Sequence, residues 1–448
     1  MPKVINSNWP SASMRTSRFL ILNTLAALAL VACSTQLVFS QECQDSPILF
    51  ALKNSLFSSS AGGRATVAAS GFSAPYELMW APGCREYAFL DDGALWLGKP
   101  GNSPKKVAIP ATAPWFYKWS PDGKFLAVKG EREACAGEQK DPLYDRVSDF
   151  FLVDADHLSV ESISHDCRTS VLGWSDNSGQ VLLQKAVTDE LPCDPQKPPC
   201  ATGDVQIWNR VSRSLTTLVT ARDLNQEGIG TFDDIARWDS EKHIIYALYG
   251  VSYTGLTEVL AAMDDRTAHF LWSYRCGGAD YAGNGVFRAD MRVYDAVGMG
   301  FIWTSTFVDT EGRVLKPRKA AQALAGVGDE KYEITLTLQA PISATFRSRL
   351  TGQSWRFPFP SASGIADSVW TPAGTLVFET YEVSADTKQL KLEVWVLGPD
   401  QRTGRKLFGD AVANPGAPYA ELTPGGGMFV NGEIRPRIPP LVLGKWER

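Results

Sequence analysis

The feature that most restricts the fold of this chain is a strand-turn-strand motif at residues 119–128, with the sequence WSPDGKFLAV. Pro121 presets φ at the first central position of a turn, the Asp122 side chain can bond its own backbone, and Gly123 accepts a positive φ. The apolar residues that follow begin a second strand. The motif therefore predicts a tight β-hairpin.

Weaker copies of this motif recur along the chain, each with turn residues between an anchor residue and an apolar run. Their anchors are Trp80, Trp174, Trp238, Trp370 and Leu422. Most neighbouring anchors are roughly 40 to 65 residues apart, about the length of one four-stranded propeller blade with its loops. Because the same residue type returns at the same place, we interpret Trp80, Trp119, Trp174, Trp238 and Trp370 as core residues rather than ligand contacts.

The interval between Trp238 and Trp370 is long enough for one further blade or two, and residues 290–304 contain a candidate hairpin. A second hairpin is visible within several repeats, for example residues 205–208 with residues 215–219. We therefore predict an all-β fold. It is a single β-propeller of four-stranded antiparallel blades, about seven in number, with six or eight as alternatives.

The first 40 residues have the pattern of a secretory signal peptide. Arg15 and Arg18 precede an apolar run at residues 19–32, which is short for a membrane span and suits a secretory signal. Two cleavage sites compete. One lies before Cys33, in a lipobox-like sequence that would leave Cys33 lipidated, and the other lies after Ser40. Residues 41–448 form the propeller domain in this interpretation.

Residues 47–52 and 64–68 are strand-like and precede the first motif. We expect them to close the ring by pairing with the C-terminal repeat at residues 419–445. The alternative is a hairpin on the outside of the ring.

The chain has eight Cys, which suits an oxidising compartment. The predicted disulfides are Cys193–Cys200, Cys135–Cys167 and Cys43–Cys84, which leaves Cys276. No Cys-x-x-Cys occurs and only four His are present, so we do not predict a metal site. The net charge is −5, which gives no basic field for nucleic acid.

The WSPDGKFLA sequence at residues 119–127 resembles the TolB-type, WD40-like repeats of bacterial periplasmic and secreted β-propellers. The other copies keep parts of the pattern. The resemblance implies a propeller fold, whereas function differs widely among proteins with such repeats.

Topology predicts where a binding site would lie. The turns between first and second strands define one face of the ring, called here the turn face, and the opposite end is called the loop face. Long insertions are expected on the loop face. They are residues 131–147, 187–203, 222–234, 275–287 and 310–333.

No catalytic motif stands out. Residues 173–176, GWSD, lack the Gly-x-Ser-x-Gly of a nucleophile elbow, and the acid pairs Asp91–Asp92, Asp233–Asp234 and Asp264–Asp265 are typical of turns. We therefore predict an exported interaction module without catalytic residues or cofactors, whose partner is a protein or a cell-envelope component. The alternative is a propeller enzyme acting on glycans or peptides through carboxylates on the loop face.

Overall fold

The computed structural model describes residues 48–59, 63–111, 113–132, 135, 148–187, 203–250, 258–295, 300–324, 331–337, 342–359, 362, 364–371, 375–383, 389–398, 402–413, 421–422, 428–430, 433–435, 441–443 and 445–446. Within these residues nine sheets are present, and eight of them form the blades of a propeller ring. We number the blades 1 to 8 in chain order.

Blades 1 to 4 are built from the first fifteen strands and two C-terminal strands. Blade 1 contains β1 (Ile48–Leu52), β2 (Ser55–Ser59) and β3 (Thr66–Ser70). Blade 2 contains β4 (Tyr76–Trp80), β5 (Tyr87–Asp91), β6 (Ala94–Gly98) and β7 (Lys105–Lys106). Blade 3 contains β8 (Ala113–Trp119), β9 (Phe125–Glu131), β10 (Asp149–Asp154) and β11 (Ser159–Ser162). Blade 4 contains β12 (Thr169–Trp174), β13 (Gln180–Ala186), β14 (Gly203–Asn209) and β15 (Ser214–Val219).

Blades 5 to 8 follow in the same order. Blade 5 contains β16 (Phe232–Asp239), β17 (Ile244–Gly250), β18 (Glu258–Asp264) and β19 (Phe270–Cys276). Blade 6 contains β20 (Ala279–Gly283), β21 (Val286–Asp295) and β22 (Gly300–Asp309). Blade 7 contains β23 (Tyr332–Thr337), β24 (Ser343–Ser348) and β25 (Ser354–Pro358). Blade 8 contains β26 (Gly364–Trp370), β27 (Leu376–Val383), β28 (Gln389–Leu397) and β29 (Gly404–Ala413).

The remaining elements are short. A ninth sheet contains β30 (Glu421–Leu422), β31 (Met428–Val430) and β32 (Glu433–Arg435). The chain then adds β33 (Leu441–Leu443) and β34 (Lys445–Trp446). The helices are α1 (Ala221–Gln226) and α2 (Pro317–Ala323), and neither of these described helices has the length or apolar character needed to cross a membrane.

Apolar cores lie between adjacent blades. Leu90 and Leu97 of blade 2 pack with Tyr117 and Trp119 of blade 3, and the same kind of cluster joins blades 3 and 4, 4 and 5, 5 and 6, 7 and 8, 8 and 1, and 1 and 2. Trp80, Trp119, Trp174 and Trp238 are buried, and Trp370 is half-buried in the cluster between blades 7 and 8. Burial of these aromatic side chains stabilises each blade against its neighbour.

The turn motif also joins one blade to the next through hydrogen bonds. Within blade 3 the Ser120 hydroxyl donates to Asp122 Oδ1 at 2.6 Å. The Asp122 backbone N–H then donates to Ser178 Oγ of blade 4 at 2.9 Å. In blade 4, Asp176 Oδ1 accepts from the backbone N–H of Ser240 in blade 5 at 3.0 Å. The polar residues of the turns therefore form hydrogen bonds between blades as well as within hairpins.

Substitution of Gly123 tests the packing of the turn of blade 3 against blade 2. Gly123 has a φ of +68°, and a Cβ at this position would lie 2.5 Å from the Pro82 carbonyl oxygen of blade 2. Gly123→Ala should therefore lower the melting temperature much more than Gly101→Ala, because Gly101 has a φ of +78° with open space around its Cβ position. Thermal unfolding of the two variants measures this difference. Equal shifts would show that only the backbone conformation matters.

The ring closes through the two ends of the described chain. β33 pairs antiparallel with β1, with Ala51 opposite Val442, and becomes the innermost strand of blade 1. β34 then pairs in parallel with β4 of blade 2. The C-terminal repeat at residues 421–435 forms the separate ninth sheet, because β1, β2 and β3 already supply three of the four strands of blade 1.

The structure corrects several details of the sequence interpretation. The blade count is eight, one of the two alternatives to seven that the sequence left open, since two blades lie between blades 5 and 8. Blades 6 and 7 have three described strands each. In blade 6, the described residues after β22 form only a single bridge, between Val314 and Val308, in the place of a fourth strand. Helix α2 then begins at Pro317. The turns at residues 372–374 and 423–427 lie outside the described residues.

Two predicted insertions on the loop face are different in the structure. Residues 275–287 are mostly strand, because β20 supplies the inner strand of blade 6. Residues 310–333 contain α2, which packs at the turn face. There the Asn284 amide, in the turn between β20 and β21, donates to the Ala323 carbonyl at 2.8 Å.

Candidate functional site

A channel of about 870 Å³ runs along the ring axis, lined by the inner strands of the blades. Charged side chains line part of its wall: Lys118, Asp234, Arg237, Asp280 and Arg288. The Trp residues at the ends of the inner strands surround its opening on the turn face. The channel is therefore a cleft with charged groups on its wall and an apolar ring around its turn-face opening.

A group of carboxylates lies where the channel reaches the loop face. Asp233 and Asp234 are at the start of β16, Glu258 begins β18, and Asp280 lies at the start of β20. In these blades the first residues of the first and third strands lie at the end opposite the turns. Three strands from two blades thus bring four acids to one mouth of the channel.

Burial raises the pKa of Glu258 to about 7, and the negative charges of Asp233, Asp234 and Asp280 add to this effect. Asp233 is exposed at the mouth, yet desolvation by the protein atoms around it and the charge of Asp234 raise its pKa to about 6. Both carboxyl groups are therefore partly protonated near neutral pH.

Lysine side chains from blade 3 reach the same acids. Lys118 Nζ donates to the Leu172 carbonyl at 3.0 Å and forms an ion pair with Asp234. Burial lowers the pKa of Lys129 to about 8, and repulsion by Lys118 adds to the shift. Lys118 thus forms an ion pair with Asp234, whereas Asp233 and Glu258 form none among the described residues.

Arg288 organises the part of the mouth contributed by blade 6. Its guanidinium lies 2.7 Å from Asp280 Oδ2 and 3.5 Å from Asp290 Oδ2. The Ser305 hydroxyl donates to Asp290 Oδ1 at 2.6 Å. On the channel wall below, the Arg237 guanidinium stacks over the Tyr281 ring at 4.4 Å.

The predicted acid pairs have different roles. Asp91 accepts the backbone N–H groups of Ser73 and Ala74, at 3.0 and 2.7 Å. Asp264 accepts from the backbone of Arg266 and Thr267. Asp265 accepts from the Trp238 indole at 2.8 Å. These acids support turns and core packing, and of the three pairs only Asp233–Asp234 lies at the channel mouth.

Cys135 and Cys167 are bonded to each other, linking the segment after β9 to the segment before β12. The buried Asp149 carboxylate accepts from the Cys167 backbone N–H at 3.0 Å and from Ser164 Oγ at 2.9 Å, and it pairs with Arg132. Among the described residues, Cys135, Asp149 and Cys167 are the one group with the spacing of metal ligands. Because their sulfurs are bonded to each other, they are not available as thiolate ligands.

Only two of the remaining six cysteines, Cys84 and Cys276, are among the described residues. Cys84 is also disulfide-bonded, and its partner is not among the described residues. Cys276 is buried and free. Cys33, Cys43, Cys193 and Cys200 lie outside the described residues, so their lipidation and pairing stay predictions.

The raised pKa of Glu258 predicts an unusual pH dependence of the free energy of unfolding. The pKa of Glu258 is about 7 in the folded chain, above the ordinary value of 4.5, so the folded state binds this proton more tightly than the unfolded state. Ionisation of Glu258 therefore destabilises the folded wild type as the pH rises from about 4.5, and this loss of stability reaches its full value above about pH 7. Glu258→Gln should gain stability over the wild type across that window and keep a constant advantage above it.

Urea unfolding at a series of pH values measures this effect. Glu241→Gln, at an exposed position on the turn face, is the control and should give a curve parallel to the wild type. A Glu258→Gln curve that is also parallel would contradict the electrostatic account of the mouth.

No family model matches the chain, and no curated protein matches it. Among solved structures, it is similar to TolB from Acinetobacter baumannii, at 11% identity over 61% of this chain and 63% of TolB, with a TM-score of 0.34. The chain thus spans less than two thirds of that TolB.

Two further solved structures are similar to the chain. One is a eukaryotic initiation factor, at 11% identity over 82% of this chain and 96% of the factor, with a TM-score of 0.46. The other is the acylaminoacyl peptidase of Pyrococcus horikoshii, at 12% identity over 78% and 55%, with a TM-score of 0.43. The chain's own strand pairing establishes the fold, and the prediction of a β-propeller is confirmed.

Proposed function

We propose that this chain is an exported β-propeller that binds a protein partner, or another component of the cell envelope, at its loop face without catalysing a reaction. The observation that carries the proposal is the polar channel mouth. There, Asp234 and Asp280 line an open cleft and pair with cations of blades 3 and 6, and Asp233 and Glu258 lie close by. A charged, open face of this kind suits electrostatic recognition of a partner.

Export is supported by the oxidised cysteines. The Cys135–Cys167 bond and the bonded Cys84 fit an oxidising compartment, and the apolar run at residues 19–32 fits a secretory signal. The mature N-terminus then begins at a lipidated Cys33 or at Gln41. The mass of the N-terminal peptide from exported protein distinguishes the two. An intact N-terminal segment on cytoplasmic protein would contradict export.

Helix α1 lies on the loop face, between the last strand of blade 4 and the first strand of blade 5. Thr220 caps α1 by accepting from the Asp223 backbone N–H at 3.1 Å, and Ala221 and Leu224 are buried in the core between blades 4 and 5. Glu227, directly after this helix, is exposed on the loop face. It offers a position from which a bound partner can be labelled.

Site-specific photo-crosslinking tests the docking proposal. A photoreactive amino acid at Glu227 should form a discrete covalent adduct with a partner in cells that export the chain. The same residue at Lys242, exposed on the turn face of blade 5, should form none. Equal adducts at both positions, or none at Glu227, would contradict docking at the loop face.

A second function is favoured by one observation, the raised pKa values of Asp233 and Glu258 at the same mouth. A carboxyl group with a pKa near neutrality can act as a general acid, as glycan hydrolysis requires. Purified wild type should then hydrolyse a glycan or peptide, and Asp233→Asn or Glu258→Gln should abolish turnover. The docking proposal predicts no turnover that depends on these acids.

A further inference from the structure

Blade 6 carries a two-stranded ribbon that extends beyond the loop face. β21 and β22 remain paired over ten residues each, from Val286↔Asp309 to Asp295↔Gly300. Pairing with the inner strand ends much earlier, at Ala279↔Ala289. Residues 291–295 and 300–304, called here the ribbon, therefore continue for five residue pairs beyond Asp290, or roughly 16 Å at about 3.3 Å per residue.

Within the described residues, no other blade continues this far past its inner strand. Blade 8 continues two pairs, to Val383↔Leu390. In blade 5 the second and third strands continue one pair past the inner strand, to Gly250↔Glu258, and blade 4 does the same at Ala186↔Gly203. The ribbon also has no register shift and contains neither Pro nor Lys. Soluble proteins commonly use those devices to block strand addition at an edge, so the edges of the ribbon are suited to accept another strand.

The backbone pattern shows which residues face the open edge of β21. The Gly277 N–H donates to the Asp290 carbonyl at 2.6 Å, and the Asp290 N–H donates to the Gly278 carbonyl at 2.9 Å. Because backbone groups alternate along a strand, residues 292 and 294 direct theirs toward the same edge as Asp290. Among the described residues, no strand pairs with β21 on that edge beyond Asp290.

The acids of the channel mouth lie at the base of this edge. A Cβ at Gly278 would be 3.9 Å from Glu258 Oε2, so the Glu258 carboxylate lies beside the last bonds between the inner strand and β21. Asp233 lies close by, since its Oδ2 would be 3.2 Å from a Cβ at Gly250, the register partner of Glu258. An added strand that continues the line of the inner strand would therefore pass these two carboxylates, which favours Lys or Arg in that strand.

We propose that an extended, cationic segment of a protein partner binds by adding to the open edge of β21 as the third strand of the ribbon, with its Lys or Arg side chains at Glu258 and Asp233. The inference rests on the proposed docking function and identifies the chemistry of the partner. Main-chain hydrogen bonds supply affinity in this mode, and the acids supply selectivity.

Selection from a displayed library of short random peptides on the purified full mature chain tests the proposal. The enriched peptides should alternate apolar residues with Lys or Arg. Tyr294 and Phe301 are opposite each other on one rung of the ribbon. Tyr294→Pro removes an N–H at the open edge of β21, whereas Phe301→Pro removes one at the opposite edge of β22.

Fluorescence anisotropy of an enriched peptide should show at least about a tenfold loss of affinity for Tyr294→Pro and less than about a threefold change for Phe301→Pro. Glu258→Gln should weaken binding and reduce its dependence on salt. Unchanged melting temperatures would show that the variants are folded.

Several results would overturn the proposal. They are no enriched peptide, equal loss in both proline variants, enrichment of acidic peptides, a dimer of this chain that Tyr294→Pro dissolves, or binding of the ribbon to lipid vesicles in place of peptide. The photo-crosslinking at Glu227 distinguishes failure of strand addition at β21 from failure of docking at the loop face. An adduct there without peptide binding at β21 rejects strand addition and leaves docking intact, whereas loss of both rejects both.

Discussion

Deletion of residues 441–448 should lower the melting temperature of the chain by roughly 5–10 °C or cause it to aggregate. The deletion removes β33, the innermost strand of blade 1, together with β34, which pairs with β4 of blade 2. Leu443 is buried in the core between blades 8 and 1, and burial of one such side chain contributes about 1.5–3 kcal/mol. The deletion also exposes the edge of β1 to other chains.

The matched control is deletion of residues 447–448 alone, which retains both strands. Differential scanning calorimetry of the two truncated proteins measures the effect. If the longer deletion melts at the same temperature as the shorter one, β33 does not hold the ring together.

Replacement of Cys135 and Cys167 by Ala should cost about 2–4 kcal/mol of unfolding free energy, the range typical of a native disulfide. The bond closes a loop with a sequence separation of 32 residues. It also positions the Cys167 backbone N–H that Asp149 accepts, and the Asp149 carboxylate is fully buried. Loss of the bond therefore weakens a hydrogen bond to the buried Asp149 carboxylate. It also removes the covalent link between the segment after β9 and the segment before β12.

Cys276→Ala is the control for this experiment, because Cys276 is buried and free. Its denaturant midpoint should change much less than that of the double variant. A double variant as stable as Cys276→Ala would show that the disulfide adds nothing to the hydrogen bonds around Asp149.

The sequence was informative where structure depends on neighbouring residues. The hairpin at residues 119–128 forms as predicted because Pro121, Asp122 and Gly123 determine the turn locally. The hydrogen bond from Asp122 to Ser178 was not predictable, since it depends on how blade 4 packs against blade 3. The blade count was uncertain for a similar reason, because blades 6 and 7 lack the Pro-Asp-Gly turn.

The candidate site was harder to predict than the fold. Asp233–Asp234 and Asp264–Asp265 are similar pairs in sequence, yet one lies at the channel mouth and the other supports a turn and the Trp238 indole. Glu258 is a single acid in the sequence. It becomes part of the site only because β16, β18 and β20 bring it to Asp233 and Asp280, and the sequence contains no local signal of that arrangement.

Closure of one ring by the two ends of the chain is the central claim, and a cross-strand disulfide tests it most directly. Ala51 and Val442 are register partners in β1 and β33. In the variant Ala51→Cys with Val442→Cys, oxidation of the folded protein followed by peptide mapping should recover residues 51 and 442 in one linked peptide pair. The same oxidation in strong denaturant should give little of it. Failure to form this link in the folded protein, with both thiols free, would contradict the closed propeller.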